Sequence, residues 1–453
     1  MQDVKRPWEE LQYLLDTRDV GQIRSFLNSL KSEEIVRSMS HIDRDEQNLL
    51  LTLLSPEDAA DVIEEIPDSQ GVSIIEAMEA NDAAAIVNEM ESADQADLLA
   101  ELSREDAEAI LEKMEPEEAE DVKKLIQYDP DTAGGLMITE YLTYQENKTV
   151  DEVVDDLRRK AAKYEKYHVQ YVYVVSGREF VGVLRMKDLL MSKGTKRLSE
   201  IVIRDALTIY DTSTLEDLIG FFDKYDFYGV PVLNAKKQLV GVVLRKHILE
   251  AETEKANIDL LSTQGIIGGE ELRTMPVLLR SKRRLSWLSI NILLNILAAS
   301  VIAFYQDILS AVIALAVFLP IISDMSGCSG NQAVAVSMRE LSLGVVKPFE
   351  VFRVWLQEVS IGLINGLALG ILIGLAAYLW KGSIYLGLVV GGALAINTIV
   401  AVSLGGTIPL ILKRAGFDPA LASSPILTTI TDMFGFFLAL TFASLVLPQL
   451  GNL

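Results

Sequence analysis

From Pro419 to Leu453 the chain carries one charged side chain, Asp432, in the run Leu427-Thr428-Thr429-Ile430-Thr431-Asp432-Met433-Phe434-Gly435. Placing a lone carboxylate at mid-bilayer depth costs at least ~3 kcal/mol, so such a residue faces a cavity, a partner or an ion. Cation coordination along an ion path is the first chemistry to consider, with a helix–helix hydrogen bond as the plain alternative. Nothing in the sequence offers covalent catalysis: there is no nucleophile–base arrangement, no Walker loop and no Cys/His metal cluster. The single cysteine, Cys328, cannot form an intrachain disulfide, which suits a protein whose soluble part is intracellular.

The elements that must hold Asp432 are apolar and long. After Arg284, five uncharged or nearly uncharged stretches have spanning length, at about 285–304, 308–330, 359–380, 384–412 and 420–448. Lys and Arg orient them: Lys282, Arg283, Arg284, Arg339, Lys347, Arg353, Lys413 and Arg414 fall on one side and Lys381 alone on the other. The bias predicts an α-helical membrane domain of five spans in the plasma (inner) membrane, N terminus cytoplasmic and C terminus outside. The first 129 residues are chemically opposite, with 34 Asp and Glu against 11 Lys and Arg, a net charge of −23 that equals the formal charge of the whole chain. Between Glu46 and Ser103 there is no Lys or Arg at all. Such a surface attracts cations and argues against nucleic acid as a partner.

Within this acidic part, segments beginning at Ser55, Pro67, Glu79, Glu91, Ser103 and Glu115 align as a 12-residue repeat. Five of the six units have an early small residue, five have an apolar pair such as Val62-Ile63 or Leu98-Leu99, and all close on an apolar residue such as Ile66 or Met90. That spacing is one helical face, and it predicts an all-α superhelical N domain of short helices over 1–129, each burying its face against its neighbours. Beyond Asp129-Pro130 the pattern becomes two matched helix–strand–strand–helix units. Phe180-Val-Gly-Val-Leu184 and Leu239-Val-Gly-Val-Val243 superimpose at an offset of 59 residues. The first unit predicts a helix near 150–164, strands over Val169–Val175 and at Phe180, and a helix at Met186. Its counterpart predicts a helix near 213–224 and strands at Tyr228–Leu233 and Leu239–Val243. A connecting helix over 251–282, broken at Gly265 and Gly268-Gly269, joins this tandem module to the membrane domain at 283. Gly362, Gly366, Gly370 and Gly374 recur every four residues, a stripe suited to close helix packing.

Three stretches together resemble the MgtE magnesium channels over essentially the whole chain. Asp129-Pro-Asp-Thr-Ala-Gly-Gly-Leu-Met137 is similar to that family's link between its N domain and its paired cystathionine-β-synthase (CBS) domains. Pro320-Ile-Ile-Ser-Asp-Met-Ser-Gly-Cys-Ser-Gly-Asn-Gln332 resembles the second-span signature, and Asp418-Pro-Ala-Leu-Ala-Ser-Ser-Pro-Ile-Leu-Thr-Thr-Ile-Thr-Asp432 the fifth-span motif. The resemblance implies CBS domains over 130–250 and a homodimer in the lipid bilayer, with Mg2+ held by Asp432 of each subunit on the two-fold axis. It implies a pore lined by Leu421, Ser424 and Thr428, which share a helical face with Asp432, and by Asp324, Cys328 and Asn331 of the second span. The expected function is Mg2+ import gated by cytosolic Mg2+ sensing. The alternatives are a divalent cation exchanger, a Co2+-permeable transporter, or a membrane-anchored CBS nucleotide sensor.

Two departures from the family pattern bear on the site. Cys328 stands where the second-span signature carries asparagine. After the last CBS strand, where a pair of aspartates commonly binds Mg2+, this chain reads Arg245-Lys246-His247. Metal sensing is then expected from Glu216, Asp223, Asp226, Glu250, Glu252, Glu254 and Asp259, or a basic patch locks onto the acidic N domain by salt bridges. Asp188, the first-repeat counterpart of His247, is the candidate ribose-binding acid for ATP. His41 and His168 read as ordinary surface or interdomain residues, and His247 as a basic surface residue rather than a ligand.

Overall fold

A computed structural model describes residues 6–164, 167, 170–269, 271–273 and 275–450. His168 and Val169, the expected start of a strand, lie outside the described residues. The chain divides into two units, Met1–Glu254 and Lys255–Leu453.

The first unit opens with ten helices: α1 (Pro7–Thr17), α2 (Val20–Leu27), α3 (Ser32–Met39), α4 (Arg44–Leu53), α5 (Pro56–Glu65), α6 (Asp68–Ile75), α7 (Ala80–Val87), α8 (Ser92–Glu101), α9 (Arg104–Leu111) and α10 (Pro116–Leu125). From α5 onward a helix begins every 12 residues, as the repeat predicts. Local chemistry sets the starts: the Ser55 and Ser103 hydroxyls accept the Asp58 and Asp106 backbone N–H groups, each at 3.2 Å, and Pro56 and Pro116 take first-turn positions. The repeated apolar pairs are buried, from Val62-Ile63 through Leu98-Leu99.

Two three-stranded sheets follow, each with helices on its flanks. The first comprises β1 (Leu142–Gln145), β2 (Tyr171–Ser176) and β3 (Glu179–Arg185), with α11 (Val150–Arg159), α12 (Met186–Met191) and α13 (Leu198–Ile201). The second comprises β4 (Ile209–Tyr210), β5 (Gly229–Leu233) and β6 (Leu239–Leu244), with α14 (Leu215–Lys224) and α15 (Arg245–Thr263). In both, a parallel pair is followed by an antiparallel one. The strands β1 and β4 add to the two per unit that the sequence suggests; at four and two residues they are too short for an alternating pattern to show. The Asp129–Met137 link is stitched to the second sheet's unit: Ala133 and Gly134 N–H donate to the Ser213 and Asp211 carbonyls at 2.8 and 2.9 Å. A Cβ on Gly134 would meet the Tyr128 ring at 2.3 Å, so this turn needs glycine. One continuous core joins helix residues such as Leu50, Ile75 and Leu98 to Leu218, Val232 and Ile248. The helical N domain is docked on the second sheet's unit.

The connection expected over 251–282 is made of parts of two helices. The helix α15 starts earlier, at Arg245, and ends at Thr263; Gly265, Gly268 and Gly269 then take positive φ, and α16 (Val277–Phe304) begins at Pro276. Glycine supplies that left-handed backbone without steric cost, and Gly265 also lies flat on Trp287. The break therefore falls where the glycines predict it.

The second unit holds α16, α17 (Gln306–Ala311), α18 (Leu315–Ser342), α19 (Val351–Lys381), α20 (Ile384–Arg414), α21 (Pro419–Leu445) and α22 (Leu447–Leu450). Four of these, α16, α19, α20 and α21, are long and apolar enough to cross a membrane. The expected 308–330 stretch is divided at Val312, and its main helix, α18, runs on through Asp324, Arg339 and Glu340, so it is long but more polar. The glycine stripe packs as expected. Cβ atoms on Gly366, Gly370 and Gly374 would fall 2.5, 2.6 and 2.8 Å from the Ala395, Gly391 and Gly387 carbonyl oxygens of α20. Backbones in such contact gain dispersion that larger residues would forbid.

Candidate metal centre and cytosolic interface

Asp432 sits halfway along α21, partly buried, and accepts a hydrogen bond from the Ser323 hydroxyl of α18. The pairing places its carboxylate on the seam between α18 and α21. Next to it runs a fully buried network centred on Asn397 of α20, whose amide donates to the Ser326 hydroxyl at 2.6 Å and to the Thr431 carbonyl at 3.0 Å. Ser326 passes the chain on to the Ile322 carbonyl at 2.8 Å. Gly435 leaves the room: a Cβ there would lie 2.6 Å from the Asn397 amide nitrogen. On the far side of this seam, a Cβ on Gly405 would stand 2.2 Å from the Gly330 carbonyl oxygen. Three helices are thus clamped around the segment that aims Asp432.

Of the expected lining residues, Leu421, Ser424 and Thr428 are partly buried on α21, and Asn331 is partly buried on α18. Asp324 and Cys328 are exposed one turn apart on α18, and Gln332 continues that face. A polar face of this kind on an otherwise apolar helix marks a wet or partnered surface. Sequence reasoning missed Ser323 and Asn397. Asn397 carried a usable signal, being the only amide side chain in the 31 residues of α20.

At the cytosolic site, Arg245-Lys246-His247 starts α15, and the three side chains part company. Arg245 closes the end of α14, donating to the Phe222 and Tyr225 carbonyls at 2.6 and 2.8 Å, with Asp226 at 3.5 Å. Lys246 and His247 both reach Glu91 at the head of α8, with Nζ and Nε2 at 2.6 and 2.9 Å from its two oxygens. His247 is 6% exposed, so its reading as a surface residue is corrected: Glu91 draws it into the interface. His41 stacks on Trp8. A cavity of about 490 Å³ opens beside the Glu91 contact, lined by Asp58, Asp61, Glu64, Asp94, Lys246 and Glu250 among others. Burial pushes Asp94 up to about 7, reinforced by the charge of Glu64. Burial likewise raises Glu64, and raises Glu140, whose carboxylate holds the Ser92 hydroxyl at 2.8 Å.

Among the expected regulatory acids, only Glu250 lines that cavity. Glu216, Asp223 and Asp226 lie exposed on and after α14, Glu252 and Glu254 are exposed on α15, and Asp259 belongs to the second unit. They are not gathered at one point, and among the described residues no group of three Asp, Glu, His or Cys could hold a metal. Asp188 is engaged by Arg185, whose Nε lies 2.6 Å from its carboxylate.

Comparison with known proteins agrees with this division. Residues 319–442 match the family model "Divalent cation transporter", 30–131 the "MgtE intracellular N domain", and 133–193 and 198–254 the "CBS domain". A protein named "Magnesium transporter MgtE" from Thermus thermophilus is 33% identical over 331 residues, 72% of each chain. One of the same name from Enterococcus faecalis is 31% identical over 326 residues, 72% of this chain and 71% of its own. A solved structure titled "cytosolic domain of the Mg2+ channel MgtE in complex with ATP" is 27% identical, with 54% of this chain and 99% of that one aligned at a TM-score of 0.49. With named transporters matched over two-thirds of their length, an N-terminal MgtE domain, a CBS pair and several apolar helices, this chain is a multi-pass membrane protein of the MgtE magnesium transporter family, and not an enzyme.

Proposed function

We propose that the protein is a homodimeric, Mg2+-selective channel that imports Mg2+ into the cytoplasm, with Asp432 of each subunit holding the ion. The observation that supports this reading is the placement of a carboxylate on the α18–α21 seam, beside the polar face Asp324–Cys328, in a helix that carries no other charged side chain. In a two-fold assembly, two such seams would face one another. Mg2+ gives up its water reluctantly, so a pore can hold the hydrated ion with outer-sphere carboxylates and carbonyls. Two carboxylates supply the two charges of one dication, and their repulsion when empty favours occupancy. Leu421, Ser424 and Thr428, at about three, two and one turns before Asp432, would line the cytoplasmic half, and Asn331 and Cys328 the second-span side. This reading counts α18 as the second of five spans, with the N terminus in the cytoplasm and the C terminus outside.

Closure is assigned to the docked N and CBS domains. In this chain the contact at the head of α15 is made by Glu91 with Lys246 and His247, a salt-bridge clasp in place of paired aspartates around a metal. Cytosolic Mg2+ then acts on the acids that remain, Glu64, Asp94 and Glu250 at the cavity and Glu216, Asp223, Asp226, Glu252, Glu254 and Asp259 beyond it. Screening them favours the docked state, and allosteric couplings of ~1–3 kcal/mol suffice for such control. ATP at the CBS pair is a further expectation; Asp188 would have to exchange Arg185 for a ribose hydroxyl.

The test is Mg2+ influx into liposomes for wild type and Asp432→Ala, with internal Mg2+ varied. Flux that is lost in the variant, and suppressed by internal Mg2+ in the wild type, is the expected result. Undiminished variant flux would remove Asp432 from the pathway, and indifference to internal Mg2+ would remove the sensor.

A further inference from the structure

One hydroxyl in the membrane unit departs from the habit of its neighbours. A serine or threonine inside a helix commonly returns its hydrogen to the carbonyl four residues back. Ser326, Thr398, Ser403 and Thr429 do so, at 2.8, 2.8, 2.7 and 2.8 Å from the Ile322, Leu394, Ile399 and Pro425 carbonyls. Ser323 instead donates across the α18–α21 seam to Oδ1 of Asp432. The other carboxylate oxygen, Oδ2, accepts no hydrogen bond among the described residues and is not sealed inside the protein. Both partners are held from behind by one buried side chain of α20. The Asn397 amide donates to Ser326, one turn along α18 from Ser323, and to the Thr431 carbonyl, in the peptide that leads into Asp432. One oxygen of the carboxylate is therefore tied and the other free, on a backbone fixed on both sides of the bond.

We propose that Ser323 is a positioning residue that sets ion specificity: by engaging Oδ1 it keeps Asp432 from chelating a dehydrated divalent cation, and so discriminates against Ca2+ in favour of hydrated Mg2+. Its role presupposes that Asp432 lies on the ion path, as proposed above. Ca2+ accepts carboxylates through one oxygen or through both, in flexible geometry, whereas Mg2+ dehydrates reluctantly and keeps several waters. An untethered aspartate could close both oxygens on Ca2+. With Oδ1 engaged, only Oδ2 faces the ion, in one direction, and a water of the hydrated ion is its natural partner. A hydroxyl–carboxylate bond is charge-assisted and stronger than a neutral one, so chelation that needs Oδ1 must first break it. Ser323 acts through Asp432 and does not itself touch the ion. A hydroxyl turned back to its own helix would have been satisfied equally well, and it would have left both oxygens of Asp432 free.

The test is Mg2+ influx into liposomes carrying the full-length protein, with external Ca2+ raised stepwise. The quantity read is the Ca2+ concentration that halves each variant's own Mg2+ influx, which does not depend on the absolute rate. Expected is a several-fold lower concentration in Ser323→Ala than in wild type. Ser323→Thr, which keeps the hydroxyl, should restore the wild-type response, and Ser323→Cys, a weak donor, should fall between. An unchanged response to Ca2+ in Ser323→Ala, or a response in Ser323→Thr equal to that in Ser323→Ala, would overturn the proposal. So would loss of Mg2+ influx in both Ser323→Ala and Ser323→Cys, because the hydroxyl would then serve conduction rather than discrimination. Asp432→Ala tells this failure from that of the pore reading. Undiminished influx in Asp432→Ala refutes the pore assignment and Ser323's role with it; influx lost there, with Ca2+ block unmoved in Ser323→Ala, refutes the role of Ser323 alone.

Discussion

The docked N domain should loosen as pH rises through neutrality, with Asp94 the main reason. This side chain on α8 is pressed among Glu64, Glu91, Lys246 and His247, and burial lifts it from 3.8 to about 7. A raised value means the docked state binds the proton more tightly than the separated one. Its contribution to docking is therefore complete below about pH 4, declines as pH rises, and is lost above about 7. At 1.36 kcal/mol per unit, a displacement of about three units sets a ceiling of about 4 kcal/mol; burial that persists within the isolated N domain lowers it. The perturbation is a change from about pH 5.5 to about pH 8.5 in wild type and Asp94→Asn without Mg2+. The assay is energy transfer between dyes on Glu33→Cys and Lys236→Cys, both exposed positions, in a Cys328→Ser background that removes the one native thiol. Transfer should fall with pH in wild type and much less in the variant. Identical transfer at both pH values, or an unchanged slope in Asp94→Asn, would refute the reasoning.

Other consequences follow from single contacts. Lys246→Glu sets a like charge against Glu91 in place of a 2.6 Å ion pair; influx in the liposome assay should then resist inhibition by internal Mg2+, at a coupling loss of ~1–3 kcal/mol. Asn397→Leu removes the donors to Ser326 and to the Thr431 carbonyl, which costs ~1–3 kcal/mol where a buried acceptor is orphaned. Transport should drop while the protein still elutes as a single species in size-exclusion chromatography, and Asn397→Ser should recover part of it. Gly370→Leu would drive a side chain into the Gly391 carbonyl at 2.6 Å, and overpacking of ~1–3 kcal/mol or more should lower the thermal unfolding midpoint in detergent.

What the sequence reveals here depends on whether a contact is periodic. The 12-residue repeat predicts the helix starts because the units repeat one local pattern, an apolar pair turned to the neighbours in five of the six, with serine caps at Ser55 and Ser103. The glycine stripe on α19 is equally regular, and its packing on α20 follows from the spacing alone. The short strands β1 and β4 escape because two to four residues hold no period. The cytosolic clasp escapes for a different reason. Lys246 and Glu91 are 155 positions apart, and nothing local marks Glu91 among the 34 acids that precede residue 130; only the docking of α8 beside α15 singles it out.

The membrane unit shows the same division at higher stakes. An acid in an apolar run announces itself, which is why Asp432 stands out in sequence and Glu358, seven residues into a helix that opens with Arg353 and Trp355, does not. The structure distinguishes them by their partners. Asp432 has Ser323 to fix its direction and Asn397 to fix the helix that carries it, whereas Glu358 has only a glycine notch at Gly406. In a medium without water a carboxylate must be answered by a donor, a proton or an ion. For Asp432 the Ser323 donor supplies direction, and under the proposed function the rest of its charge is left for an ion; for Glu358 no donor is present among the described residues.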